Sequence, residues 1–288
     1  MTRRYRRLAW TAAVCTYLLI IFGAVVRITG SGLGCGEDWP LCNGKLLPPL
    51  DLPTLIEYGH RLVAAALSVL VVAVAGYAWW LRKGVGREAW ERPGRTAYVA
   101  LGLLVVQVLL GAVTVKLALP PWTVILHLGA AMLLLAALIV AASPRSRAAV
   151  GAAALCFVTV LFGALTANTG AASACLGFPL CNGQFLPAGN YLQHLHWTHR
   201  LLAYGLTAYV AVWALRTKRP GALAVLGLVA VQVSLAAFLV LQGLPPALQA
   251  AHVAVGTGVW AALVIVAQPA RPSAEVTRGE AAPAAPAA

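Results

Sequence analysis

The chain of 288 residues is 61% hydrophobic and only 10% charged, with a mean hydropathy of +0.83. That balance excludes a soluble globular protein of this length and reads as an integral membrane protein. The formal net charge of +13 is no mark of nucleic-acid binding, because the basic residues fall between the apolar runs and so report topology.

Eight spans are predicted, over residues 8–28, 57–81, 96–117, 122–142, 148–168, 194–215, 221–242 and 248–268. Each suffices to cross a hydrocarbon core about 30 Å thick at about 1.5 Å per residue. With a cytoplasmic N-terminus, the inner segments hold Arg3, Arg4, Arg6, Arg7, Arg82, Lys83, Arg87, Arg92, Arg95, Arg145, Arg147, Arg216, Lys218, Arg219, Arg271 and Arg278, which is 16 of the 21 basic residues and obeys the positive-inside rule. No small-residue cleavage site follows the first run, so it reads as a retained helix. A Gly- and Pro-rich outer loop then carries Cys35 and Cys42 and closes on Leu47-Pro48-Pro49. The second helix is expected from near Glu57, running inward to Trp79, Trp80 and a basic loop over 82–95, where Trp90 and Pro93 suit an interfacial turn. Helices three and four form a hairpin through Lys116 to Pro121, and the basic link 143–147 divides the chain. Helices five to eight repeat the plan, with Cys175 and Cys181 in an outer loop and a turn at Gln242 to Pro246. The tail 271–288, ending AAPAAPAA, has the low complexity of a disordered cytoplasmic extension.

The repetition extends to individual residues. Residues 22–62 and 162–201 share an FGA opening, a cysteine pair ending in PLCNG, and a histidine followed by Arg-Leu. LGLLVVQ at 101–107 likewise matches LGLVAVQ at 226–232, and at the same offset of 125 Pro120, Pro121 and His127 fall on Pro245, Pro246 and His252. The chain is therefore an internal duplication whose halves both enter from the inside, a parallel repeat about an axis along the membrane normal. The expected fold is an all-α membrane protein of eight transmembrane helices, arranged as two tandem, pseudo-symmetric four-helix bundles. An N-terminal half over 1–147 precedes a C-terminal half over 148–270 and the tail.

Each half carries one equivalent histidine pair, His60 with His127 and His199 with His252. Ionisable groups inside a bilayer are costly unless paired or functional. Two imidazoles at equal depth on neighbouring helices can hold a haem iron from opposite sides, whereas interhelical hydrogen bonding is the plain alternative. Two histidines without nearby Cys or carboxylate ligands make an incomplete zinc or copper site. In an outer loop, Cys35 with Cys42 and Cys175 with Cys181 read first as disulfides, with a redox-labile pair as the other reading. Cys15 and Cys156 read as packing residues.

Glu57 lies three residues before His60, and His196 takes its place before His199. A carboxylate there can accept a proton beside a haem, or can simply favour the helix N-terminus. His194 and His196, near the interface, can simply be solvated. Arg27, Arg61 and Arg200 border the two histidine pairs and suit haem propionates, with snorkelling to headgroups as the alternative. Gln107 and Gln232 recur at equivalent positions and are explained by interhelical hydrogen bonds.

Together, GCGEDWPLCNG with Cys35 and Cys42, Glu57-x-x-His60-Arg61, His127, Cys175-x5-Cys181, His199-Arg200 and His252 closely resemble the haem A synthase (CtaA/Cox15) family over about residues 8–268. The cysteine pairs in both loops resemble the bacterial, Gram-positive type. The resemblance implies oxidation of the C8 methyl of haem O to a formyl group, giving haem A for terminal oxidase biogenesis. It implies substrate haem O between His60 and His127, a haem b between His199 and His252 that relays electrons, and Glu57 near the reacting edge. It also implies a loop with Cys35 and Cys42 covering the substrate site, and a haem O synthase as donor. Iron held by two histidines has no open position for oxygen, so either a ligand leaves or the reaction proceeds by electron removal and attack by water.

A di-haem electron-transfer cytochrome is the rival from another class, and a haem carrier is a third reading. A transmembrane wire needs haems near both surfaces, yet all four histidines fall in the outer half. A bacterial plasma membrane with both termini cytoplasmic is the expected location, with membrane lipid as surroundings. The electron acceptor is unknown, and homo-oligomer formation stays open.

Overall fold

The structure, a computed structural model, describes residues 2–46, 49–85, 87–143 and 150–266, without the side chains of 84–85 and 87–93. It is all-helical: α1 (Arg3–Ile28), α2 (Leu52–Val85), α3 (Arg87–Lys116), α4 (Pro121–Ala142), α5 (Val150–Asn168), α6 (Tyr191–Thr217), α7 (Pro220–Leu241) and α8 (Pro246–Val266), with a short 3-10 turn after α1 and after α5. Seven of these helices are long and apolar enough to cross a membrane. The eighth, α6, spans 27 residues, but its first three turns carry Gln193, His194, His196, His199 and Arg200, which lowers its apolar character. The chain is a multi-pass membrane protein.

Several boundaries differ from expectation, each of the following for a local reason. Helix α2 starts at Leu52, ahead of Glu57, because Asp51 Oδ1 accepts the Thr54 N–H at 3.1 Å and caps the helix. Helix α6 starts at Tyr191, because Asn190 accepts the Leu192 and Gln193 N–H groups at 3.1 and 3.4 Å. The basic loop expected over 82–95 is mostly helix, since α2 runs through Val85 and α3 starts at Arg87. The Arg, Lys, Glu and Ala that read there as polar loop are also good helix formers. Leu47, Pro48, the link beyond Ser143, the tail 271–288 and the side chains of Arg87, Trp90, Arg92 and Pro93 lie outside the described residues.

The helices alternate in direction, so both cysteine loops, the α3–α4 turn and the α7–α8 turn share one end, called here the loop end. In the first half, α1 packs on α2, α2 on α3, α3 on α4 and α4 back on α1; in the second half α5, α6, α7 and α8 pack in the same cyclic order. Helix α4 also packs on α5 and α8, and α1 on α8. Central placement suits α4, which is apolar all round and buries Met132, Leu134, Leu135, Leu138 and Ile139. Hydrogen bonds join the halves, from Trp260 Nε1 to the Met132 carbonyl at 2.9 Å, from the Tyr17 hydroxyl to the Ala254 carbonyl at 3.0 Å and from Arg27 Nη2 to Gln249 Oε1 at 3.2 Å.

The fully buried core lies in the far half of the helices, with Tyr5, Ala9, Ala12, Val74, Ala78, Ala97, Ala100 and Leu138 among its members. At that far end Lys83 sits 3.8 Å over the Trp79 ring, and Trp79 and Trp80 are exposed, as suits an aromatic belt. The loop end is organised differently. Each cysteine pair is joined, with Cα atoms 4.4 Å apart for Cys35–Cys42 and 4.7 Å for Cys175–Cys181. Each loop also closes a tight turn at PLCNG, with paired bridges Cys42 to Lys45 and Cys181 to Gln184. The Asn-Gly steps make this turn, since Asn43, Gly44, Asn182 and Gly183 all have positive φ, which these two residue types tolerate best.

The first loop is seated directly on α2. The Thr54 hydroxyl donates to the Gly34 carbonyl at 2.7 Å, and a Cβ added at Gly34 would lie 2.6 Å from the backbone carbon and oxygen of Pro53. Backbone cannot yield as a side chain can. Gly34→Ala is therefore expected to lower the thermal midpoint in detergent, by an overpacking cost of about 1–3 kcal/mol. Gly76→Ala, where a Cβ meets open space, is expected to leave the midpoint unchanged in the same melting experiment.

Candidate functional site

The histidine pairs stand on diagonally opposite helices. Within the first ring α2 and α4 each neighbour α1 and α3, and within the second α6 and α8 each neighbour α5 and α7. His60 on α2 and His127 on α4 lie within electrostatic reach of one another, as do His199 on α6 and His252 on α8. All four rings are half-buried. His127 and His252 are each the seventh residue of their helix, about 9 Å along it from the loop end.

Small residues on neighbouring helices make room for three of these rings. A Cβ at Gly23 of α1 would lie 3.3 Å from His60 Cε1, one at Gly163 of α5 only 2.8 Å from His199 Cε1, and one at Gly111 of α3 3.2 Å from His127 Cε1. The repeated FGA motif thus has a physical purpose: its glycine lets the histidine of the next helix lie against the backbone. His199 uses this closeness to place Nδ1 3.1 Å from the Thr159 carbonyl. With Nδ1–H donating there, Nε2 is left as the coordinating nitrogen.

The second histidine of each pair is held by the repeated glutamine. Gln107 Nε2 lies 3.0 Å from His127 Nε2, and Gln232 Nε2 lies 3.1 Å from His252 Nδ1 and 3.1 Å from the His252 carbonyl. These are interhelical hydrogen bonds, as expected from sequence. Buried but unpartnered among the described residues are His60 Nδ1, His127 Nδ1, Gln107 Oε1 and Gln232 Oε1. Orphaned polar atoms at this depth are costly. No group of three or more His, Cys, Asp or Glu able to hold a metal ion occurs among the described residues. His60 and His127, each with an unpartnered ring nitrogen, are donors that would suit a haem, whose porphyrin supplies the remaining ligands of its iron.

Glu57, Arg61 and Arg200 serve the loops in this structure. Glu57, only 3% exposed, accepts the Cys35 N–H at 2.7 Å on Oε2, while Oε1 accepts from Arg61 Nε and Nη2. Arg61 Nη1 continues to the Asp38 and Leu41 carbonyls, both at 2.8 Å. In the second half Arg200 donates to the carbonyls of Cys175, Gly177 and Leu180 at 2.8 to 2.9 Å. Both guanidinium groups are thus loop anchors. Arg27 differs: its Nη2 donates to Gln249 Oε1 of α8 at 3.2 Å, and no carboxylate pairs with it among the described residues.

His196 is not solvated, as sequence had allowed. It is buried, with Nδ1 3.0 Å from the Ala171 carbonyl, because the 3-10 turn of the second loop folds down onto α6. The residue three before each first histidine therefore fastens its own loop in both halves. His194 is exposed, and Cys15 and Cys156 are free thiols within helices.

Comparison with known proteins agrees with this architecture. The COX15-CtaA family, described as cytochrome oxidase assembly protein, matches residues 6–53 and 51–264. The chain belongs to the COX15-CtaA family. Among similar proteins of known name, the haem A synthase of Symbiobacterium thermophilum is 32% identical over 276 residues, covering 85% of this chain and 89% of that protein. That of Bacillus licheniformis is 31% identical over 239 residues, 76% of this chain and 77% of its own. That of Geobacillus kaustophilus is 32% identical over 236 residues, 74% and 73%. For this COX15-CtaA member, reading the sequence missed the glycine contacts and the loop-fastening role of His196. The first had a signal, since Gly23 and Gly163 recur inside the duplicated FGA; Gly111 had none, because its counterpart is Ala236.

Proposed function

We propose that this chain is a haem A synthase that oxidises the C8 methyl of haem O to a formyl group. Two equivalent half-buried histidine pairs on diagonal helices carry this reading, in a chain whose named relatives are haem A synthases. The helices form two tandem four-helix bundles, α1–α4 and α5–α8, and the cyclic packing within each half supports this. The first bundle takes haem O as substrate between His60 and His127. The second holds haem b between His199 and His252, and a resident haem iron there supplies one-electron transfer.

The residues of the chain do the rest. Each imidazole would offer one ring nitrogen to iron, His127 and His252 doing so once the Gln107 and Gln232 amides, which donate to those rings here, turn aside. The loop fastened by Glu57 and Arg61 covers the loop end of the first bundle and restricts water. Glu57 lies on the His60 face of α2, where a carboxylate that gives up its loop bonds can accept a proton. The positive-inside rule supports a plasma membrane orientation with both termini cytoplasmic. A haem O synthase in the same membrane is the proposed donor.

The test is to express the chain together with a haem O synthase in a host that makes no haem A, and to separate the extracted haems by chromatography. Haem A is expected with the unaltered chain and absent with His60→Ala. Haem O passing through unchanged in both would sink the enzyme reading in favour of an electron carrier.

A further inference from the structure

The two bundles differ in the cations near their histidines. On the loop side the first bundle has Arg27, Lys45, Arg61 and Lys116, whereas the matching positions in the second are Ala167, Gln184, Arg200 and Leu241. Arg200 is the one cation the second bundle keeps there, and its donors are taken up by loop carbonyls. The other described cations of that half, Arg216, Lys218 and Arg219, lie at the far end of α6 and the start of α7. That is about 25 Å along the helix from His199, at about 1.5 Å per residue.

Arg27 reaches across this gap. It leaves α1 of the first bundle and bonds Gln249 of α8 in the second. Gln249 is one turn from His252 on α8, and its own Nε2 is fixed on the Leu244 carbonyl at 2.8 Å. Arg27 is half-buried, and its guanidinium faces a neutral amide where a cation of this type pairs best with a carboxylate. A haem carries two carboxylates.

We propose that Arg27, oriented by Gln249, is the carboxylate clamp for the haem of the second bundle, supplied in trans by the first. The second site is thereby incomplete without the first bundle. This rests on reading His199 and His252 as haem ligands.

The experiment uses the full chain carrying His60→Ala and His127→Ala, so that haem binding reports the second site alone. The apo-protein is titrated with haem b and with its dimethyl ester, which lacks the two negative charges, and binding is followed by the Soret band. Haem b is expected to bind at least about tenfold more tightly than the ester. Arg27→Gln is expected to remove that preference while leaving ester affinity unchanged, and Arg27→Lys to restore part of it. Gln249→Glu, which offers Arg27 a protein carboxylate, is expected to weaken haem b selectively as well. Equal weakening of both ligands by Arg27→Gln, or no weakening of either, overturns the clamp, as does a starting protein that does not discriminate between them. Haem binding that survives His199→Ala in this background overturns the ligand reading, and the clamp with it.

Discussion

Glu57→Gln is expected to reduce haem A formation by roughly 10²–10⁴-fold, the range that a positioned proton acceptor contributes, while the histidine pairs still take up haem. The substitution keeps the shape and removes the charge. It also replaces one acceptor oxygen with an NH2 donor, which must then face either the Cys35 N–H or the Arg61 guanidinium, both donors themselves. A buried donor left without an acceptor costs about 1–3 kcal/mol, and more beside a charge, so the loop should loosen too. The two effects can be separated with Arg61→Met, which releases the Asp38 and Leu41 carbonyls but keeps the carboxylate. Loop release is read as faster reduction of the Cys35–Cys42 disulfide by a membrane-impermeant phosphine. If Arg61→Met loosens the disulfide and lowers conversion as much as Glu57→Gln does, the carboxylate acts only as a loop fastener. Conversion that stays within a few-fold in Arg61→Met but collapses in Glu57→Gln assigns it the proton.

How far the sequence carried the reading depended on whether a residue's role is local or set by the tertiary fold. Helix number and the recurrence of the histidines were legible, since apolar run length and a duplicated motif are read along the chain itself. The glutamines were legible for the same reason: Gln107 and Gln232 each precede their histidine by twenty residues, so one hairpin geometry brings both into contact. The arginines were not. A guanidinium at the loop end has carbonyls, carboxylates and headgroups within reach, and only the path of the loop backbone decides that Arg61 and Arg200 turn to carbonyls while Arg27 crosses to α8. The start of α2 was misjudged because Asp51, read as loop, is a cap. The position of α4 at the junction of the halves was also invisible, because apolar residues on all sides look the same whether they meet lipid or other helices.

Gly163→Ala is expected to displace haem from the second bundle while leaving the first bundle's site intact. The added Cβ would lie 2.8 Å from His199 Cε1 and 3.3 Å from Nε2, so the ring or the helix has to move. A ring that moves gives up the Thr159 carbonyl at 3.1 Å, the contact that would leave Nε2 free to bind iron. Overpacking of this kind costs about 1–3 kcal/mol, which corresponds to roughly 5- to 150-fold in haem affinity. Gly23→Ala at the matching position meets His60 Cε1 at 3.3 Å, where a shift of a few tenths of an ångström suffices, so its effect should be smaller. Gly205→Ala meets open space on α6 itself and controls for helix propensity. Haem stoichiometry by pyridine haemochrome, with the low-spin spectrum of a bis-imidazole iron, reads the outcome. A Gly163→Ala protein with full haem and an unaltered spectrum would show that the glycine repeated in FGA serves helix packing alone. Loss confined to the second site ties the duplicated motif to the ligand it makes room for.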